Sequence, residues 1–141
     1  KLIYGDFSML FTGDAEQPVE EQLLKSDAKD LKSTILESPH HGSSTGSSVP
    51  YLKAVWPEAV LISCGKGNDY GHPHTDVLAR YLGKSTYKDR RDGSQKKTKL
   101  VKNDKGETYK GKVYETDKNG TITVTTNGKD YSIKAEEGDA Q

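Results

Sequence analysis

The chain has 141 residues and no net formal charge, with 21 Lys and Arg against 21 Asp and Glu, and its mean hydropathy is -0.85. No apolar run approaches the roughly 20 residues of a bilayer-spanning helix, and the single cysteine, Cys64, excludes a disulfide scaffold or a cysteine-based zinc finger. The length suits one domain or a small domain with an appendage, and the charge balance excludes a protein that is basic throughout.

The first part alternates strands and helices. Lys1–Tyr4 and Phe7–Thr12 read as a hairpin joined at Gly5-Asp6. Leu10 makes the second strand apolar on both faces, so it is expected inside a sheet. Glu16 to Lys25 reads as a helix with Val19, Leu23 and Leu24 as its buried stripe. A short strand at Ser33–Leu36 and a helix at Ser47–Val55 follow. Ala59–Ser63 is a continuous apolar run, as in a strand buried on both faces. Thr75–Leu82 reads as a helix capped by Thr75 and ended by Gly83. This alternation predicts an α/β layer architecture over 1–84.

Charge shifts near residue 85. Residues 1–85 carry 8 basic and 11 acidic side chains, whereas Lys84–Lys112 carries 11 basic and 4 acidic. Residues 85–111 read as a long polar loop or partly disordered insertion. The run is either a solvated surface or a track for a nucleic-acid backbone. Residues 112–134 then read as an antiparallel β-meander with turns at Asn119-Gly120 and Asn127-Gly128. The acidic tail, 135–141, is expected to fray.

Three segments place polar residues just after apolar strands, where loops build sites. In Gly13-Asp14-Ala15-Glu16, Asp14 either caps the following helix or projects from the sheet edge as a ligand. In Pro39-His40-His41-Gly42-Ser43-Ser44, adjacent histidines on an extended chain point to opposite sides, so one at most faces a given metal. Ser43 and Ser44 offer hydroxyl and amide donors to a phosphate, or the segment is a polar surface loop. In Ser63-Cys64-Gly65-Lys66-Gly67-Asn68-Asp69-Tyr70-Gly71-His72-Pro73-His74, a Gly-rich loop presents amides to an anion, and His72 and His74 share a face. All four histidines lie between residues 40 and 74. Cys64 reads as a small core hydrophobe.

Together, FTGDAE, PHHGSSTGSS, LISCGKGNDYGHPH and VYETDKNGTITVTTNGKDYSI resemble the C-terminal half of the metallo-β-lactamase-fold hydrolases. The resemblance is to the ComEC-like branch, the soluble domain of DNA-uptake competence proteins and its free-standing secreted relatives. It implies half of an αββα sandwich whose sheet the C-terminal meander completes. It further implies a site for two ions, zinc or manganese, with Asp14 bridging them and His40 a ligand; His41 is the alternative ligand. His41, His72 and Asn68 would act on substrate, and Ser43, Ser44 and His74 would bind it. The activity implied is hydrolysis of a phosphodiester, possibly of DNA, by a hydroxide held between the metals.

The family's HxHxDH motif is absent. With Lys1 in place of Met, this leads to the expectation of a C-terminal fragment, inactive alone, whose partner is the missing N-terminal half of the hydrolase domain. Other expected partners are DNA and a second copy of the chain. A contrasting reading is a non-catalytic module binding nucleic acid or a cell-wall polymer through the basic run. The resemblance points to a secreted or membrane-tethered bacterial domain.

Overall fold

A computed structural model describes residues 1–141. Four strands at Leu2–Tyr4 (β1), Phe7–Leu10 (β2), Ile35–Glu37 (β3) and Ala59–Ile62 (β4) join Lys112–Glu115 (β7) in one sheet of order β1-β2-β3-β4-β7. β1 is antiparallel to β2; β2, β3, β4 and β7 are parallel. The helices are Gln17–Ser26 (α1), Val49–Val55 (α2), Thr75–Tyr81 (α3) and the one-turn Thr116–Asn119 (α4). No helix is long and apolar enough to cross a membrane.

Side-chain alternation divides the core between the two faces of the sheet. Leu10, Leu36, Val60, Ile62 and Val113 pack with Tyr51, Leu52 and Val55 of α2 and Val77, Leu78 and Tyr81 of α3. On the other face, Phe7, Ile35 and Ala59 pack with Val124, Tyr131 and Ile133. Those three residues belong to a hairpin formed by Ile122–Thr126 (β8) and Tyr131–Ala135 (β9). The Gly128 carbonyl at its tip accepts from the backbone N–H of Asp6 at 2.7 Å. A Cβ on Gly5 would lie 2.4 Å from that same oxygen, so only glycine permits the approach. The molecule thus layers helices, a mixed sheet and a hairpin.

Several expectations change. The C-terminal strands do not form one meander: β7 enters the main sheet parallel to β4, and only β8 and β9 pair with each other. Asn119-Gly120 closes α4 instead of a two-residue hairpin. The 85–111 stretch is ordered: Thr86–Lys88 (β5) and Gln95–Lys97 (β6) pair as a hairpin. Val101 and Tyr109 enter the helix-side core, and Tyr109 packs edge-on to Trp56 at 5.3 Å. Within the hairpin Asp89 draws in Arg91 and Lys96, at 3.1 and 2.6 Å, which offsets part of the run's positive charge. The tail docks too, with Gln141 and Val113 exchanging backbone hydrogen bonds at 2.9 and 3.1 Å.

On α1, Val19 is exposed and the buried residue is Glu20. Its carboxylate accepts from the N–H groups of Ser47 (2.5 Å) and Ser48 (3.0 Å), at the start of α2. A buried carboxylate is tolerated there because two backbone donors satisfy it. The N-cap of α3 is His74, not Thr75.

Candidate functional site

Because β2, β3 and β4 run parallel, the loops that follow them leave from one edge of the sheet. The first carries Asp14, the second His40 and His41, the third Asn68, His72 and His74. The carboxyl ends of parallel strands are where α/β sheets hold ligands. Asp14 does not cap α1, whose N-cap position is Glu16.

The turn after β3 is what gathers the histidines. His40 (φ 48°), His41 (φ 56°) and Gly42 (φ 80°) are all left-handed. Each non-glycine residue held there costs about 1–2 kcal/mol, a strain that accumulates at functional sites. The coiled backbone brings both rings to one side, contrary to the splayed arrangement expected of an extended chain. Ring centroids of His40 and His41 lie 6.2 Å apart, and His72 lies 5.6 and 6.4 Å from them. His72 and His74 do share a face, at 4.9 Å. The turn is zipped to its neighbours: the His40 N–H donates to the Gly13 carbonyl and the His74 N–H to the Gly42 carbonyl, both at 2.9 Å.

Hydrogen-bond partners fix the tautomers of three rings. His41 Nδ1 lies 2.8 Å from the Ser63 carbonyl, an acceptor only, so Nδ1 carries a proton and, in the neutral ring, Nε2 is the nitrogen with the lone pair. His40 Nδ1 meets Glu16 Oε1 at 3.1 Å and Thr45 Oγ1 at 3.1 Å, and Thr45 Oγ1 also donates to Glu16 at 2.9 Å. His40 therefore also presents an Nε2 lone pair. A carboxylate or carbonyl behind Nδ1 is the usual support of a metal-ligating histidine. His74 is the reverse: its Nδ1 accepts from the Ser44 N–H at 2.9 Å, so Nε2 carries the proton and can donate.

His41 Nε2 stands 3.3 Å from Asp14 Oδ1. Two ligands of a tetrahedral zinc with bonds of roughly 2.0–2.1 Å are about 3.3–3.4 Å apart. The donor chemistry, imidazole and carboxylate, suits zinc or manganese. The number of donors does not: no group of three His, Cys, Asp or Glu side chains is disposed to hold a metal ion. Three protein ligands are the usual minimum of a catalytic zinc site, so this chain's residues do not complete one by themselves.

The Gly-rich loop is held by Asn68. Its side-chain amide donates to the carbonyls of Gly65 (2.9 Å) and His72 (2.7 Å), while Oδ1 accepts from the His72 N–H at 2.9 Å. The carboxamide is thereby spent within the loop and fixes the position of His72. Burial pushes the His72 imidazole pKa down, helped by the neighbouring histidines His74, His40 and His41. Ser43 is buried and its hydroxyl turns inward to Thr45 Oγ1 at 3.0 Å, while Ser44 contributes its backbone N–H to His74. Cys64 packs against the helix-side core and its Sγ donates to Asp117 Oδ1 at 3.3 Å; burial pushes the thiol up to about 11.

Sequence reasoning missed Glu16, the Ser63 carbonyl and Tyr70 as parts of this site. Only the general pairing of histidine with a carboxylate pointed towards Glu16, and the 24-residue separation from His40 hid it.

An α/β protein with a histidine-rich cluster at the carboxyl edge of its parallel strands is thus defined. The chain is similar to several curated bacterial proteins. It is 38% identical over 77 residues to the uncharacterized protein YcaI of Escherichia coli, covering 55% of this chain and 10% of that one. It is 40% identical over 80 residues to competence protein ComA of Neisseria gonorrhoeae, covering 57% and 12% respectively. With ComE operon protein 3 of Bacillus subtilis it shares 34% identity over 74 residues, covering 52% and 9%. The matched stretch spans about a tenth of the length of these relatives. No protein-family model matches the chain, and no solved structure matches it.

Proposed function

We propose that this chain is the C-terminal part of a metal-dependent hydrolase that acts on phosphodiester bonds, with DNA as the substrate, in the uptake of DNA. The likeness to competence proteins supports the DNA-uptake role. The observation that carries the hydrolytic reading is the convergence of Asp14, His40, His41 and His72 at one sheet edge, with the Nδ1 atoms of His40 and His41 held from behind and His41 Nε2 facing Asp14. In this reading the sheet and hairpin are half of a metallo-β-lactamase-like sandwich, and the domain lies on the outer side of the bacterial membrane.

Asp14 and His41 would be one pair of ligands to zinc or manganese and His40 a donor to the other ion, with the remaining ligands coming from elsewhere in a longer protein. A bound pair of metals would lower the pKa of a water and stabilise charge on a phosphodiester. His74, with its Nε2–H outward, binds a phosphate oxygen. His72, whose charged form is disfavoured by burial and its imidazole neighbours, holds or passes a proton.

The test is hydrolysis of bis(4-nitrophenyl) phosphate and of an end-labelled DNA strand by the full-length protein with Mn²⁺ or Zn²⁺. Asp14→Ala is expected to lower the rate at least about a hundredfold, beyond what loss of a supporting residue costs. Unchanged hydrolysis in Asp14→Ala would overturn the proposal.

A further inference from the structure

The loop that carries His40 and His41 runs from Ser38 to Ser47, and both of these end residues are fully buried. Three of the chain's four non-glycine residues at positive φ lie in it: His40, His41 and Ser47 (φ 57°). Side chains resist that backbone, so it persists only where the surroundings impose it. At Ser47 they do. Its N–H donates to Glu20 Oε1 at 2.5 Å, its carbonyl accepts from Arg80 Nη1 at 2.5 Å, and its hydroxyl bonds to the Tyr81 hydroxyl. At the other end, Ser38 donates its N–H to the Leu61 carbonyl at 2.8 Å, and its hydroxyl lies 2.8 Å from the same Tyr81 oxygen.

One phenolic oxygen thus joins the two ends of the loop. A phenol both donates and accepts, so the two serine hydroxyls are satisfied at once. Removing it would leave both buried and unpaired, which costs more than the bonds contribute. Such bonding is not general in this core: Tyr51 and Tyr109 are as deeply buried, and their hydroxyls have no partner. Tyr81 is the last residue of α3, and His74 at the N-cap of the same helix donates its N–H to the Gly42 carbonyl at 2.9 Å. The helix therefore grips the loop at its middle from one end and at both extremities from the other.

We infer that Tyr81 is a positioning residue of the histidine site: its hydroxyl clamps both ends of the 38–47 loop and so holds the left-handed turn that brings His40 and His41 together. The inference rests on the phosphodiester reading of that site and adds the buried residue that keeps it assembled. Tyr81 touches neither histidine in this role; it acts through Ser38 and Ser47.

The test uses the full-length protein and three variants: Tyr81→Phe, which keeps the ring and loses the hydroxyl, Ser38→Ala/Ser47→Ala, and Tyr109→Phe as the control. Hydrogen exchange corrected for intrinsic rates, read by mass spectrometry, follows residues 38–47 and the strands β3 and β4. Tyr81→Phe is expected to speed exchange in 38–47 by about 5- to 100-fold and to leave the strands within about twofold of wild type. The double serine variant should do the same, and adding Tyr81→Phe to it should change nothing more. Tyr109→Phe should move neither region. In hydrolysis of bis(4-nitrophenyl) phosphate, Tyr81→Phe should lower kcat at least about tenfold with KM within about threefold, as expected of misplaced groups and not of lost binding. Unchanged exchange in 38–47, or an equal rise in loop and strands, would overturn the clamp. A faster-exchanging loop with unchanged kcat would overturn the positioning role while leaving the phosphodiester reading in place. No hydrolysis by wild type would overturn that reading, and exchange would still decide the clamp.

Discussion

His41 Nε2 faces Asp14 Oδ1 across 3.3 Å, while its Nδ1–H donates to the Ser63 carbonyl. A proton on Nε2 makes the contact an ion pair, and a metal ion bound there would take that proton's place between the two groups. His74 offers no equivalent, because its Nδ1 is occupied by the Ser44 N–H. Removing His41 or Asp14 is therefore expected to weaken Zn²⁺ binding at least about tenfold, and His74→Ala by less than about threefold. Competition with a chromophoric chelator measures all three variants. Equal losses in all, or none in any, would remove the ligand assignment.

Glu16 supports His40 as Ser63 supports His41, but through a side chain that can be changed. Its Oε1 takes both the His40 Nδ1–H and the Thr45 hydroxyl. In Glu16→Ala the ring loses its anchor and the preference for an Nε2 lone pair. Loss of such a supporting carboxylate typically costs about 10–100-fold in metal affinity or activity. Glu16→Gln keeps an acceptor oxygen and should recover part of the loss. The check is metal-dependent phosphodiester hydrolysis by the full-length protein; full activity in Glu16→Ala would refute the role.

Gly42 is the joint between two of the three site loops. Its φ is 80°, and a Cβ there would stand 2.6 Å from Pro73 Cβ and 3.4 Å from Ile62 Cγ2. Gly42→Ala thus combines left-handed strain with overpacking, about 2–4 kcal/mol together. For a chain of this size that is a fall of roughly 5–15 °C in melting temperature. Thermal unfolding followed by circular dichroism reads it. Gly13→Ala is the control, since φ is also positive but nothing lies within 4 Å of its Cβ, and its fall should be smaller.

Two strands were legible in the sequence as runs apolar on both faces: Phe7–Thr12, which forms Phe7–Leu10, and Ala59–Ser63, which forms Ala59–Ile62. The three loops of the site were also legible, because each follows an apolar strand and all four histidines lie in two of them. What stayed hidden was directional. Two adjacent histidines give no sign that both adopt φ near +50°, since the turn is imposed by Gly42 closing against Pro73 and by the bond to Gly13. Asn119-Gly120 has the composition of a hairpin turn, yet the pairing of Val113 with Val60 draws the preceding strand into the parallel sheet. The core role of Val101 and Tyr109 was masked by the lysines around them.

Glu20 joins α1 to α2 from a fully buried position. Its two carboxylate oxygens satisfy the backbone donors of Ser47 and Ser48. Glu20→Ala leaves one buried and one half-buried N–H group unpaired, at about 1–3 kcal/mol for a buried one. A loss of roughly 2–5 kcal/mol in urea unfolding is expected, and Glu20→Gln, with one acceptor left, should lose less. A loss below about 1 kcal/mol in Glu20→Ala would mean that water replaces the carboxylate.

Asp89 ties the β5–β6 hairpin together, and its contribution depends on pH. The Arg91 and Lys96 side chains hold its carboxyl well below the ordinary carboxylate range, and hydrogen bonds from Ser94, then Lys96, pull Asp92 down to about 2. Both folded-state values are depressed, so the stability they supply is fully present above the unfolded carboxylate value of about 4. It is lost as pH falls from there through the folded values. Amide protection across residues 86–97 is therefore expected to be constant from pH 7 to about 5 and to drop, relative to the main sheet, between about pH 4 and 2. Hydrogen exchange corrected for intrinsic rates measures this directly. In Asp89→Asn the protection should be lower at neutral pH and its acid dependence smaller. An identical acid profile in that variant would assign the transition to other carboxylates.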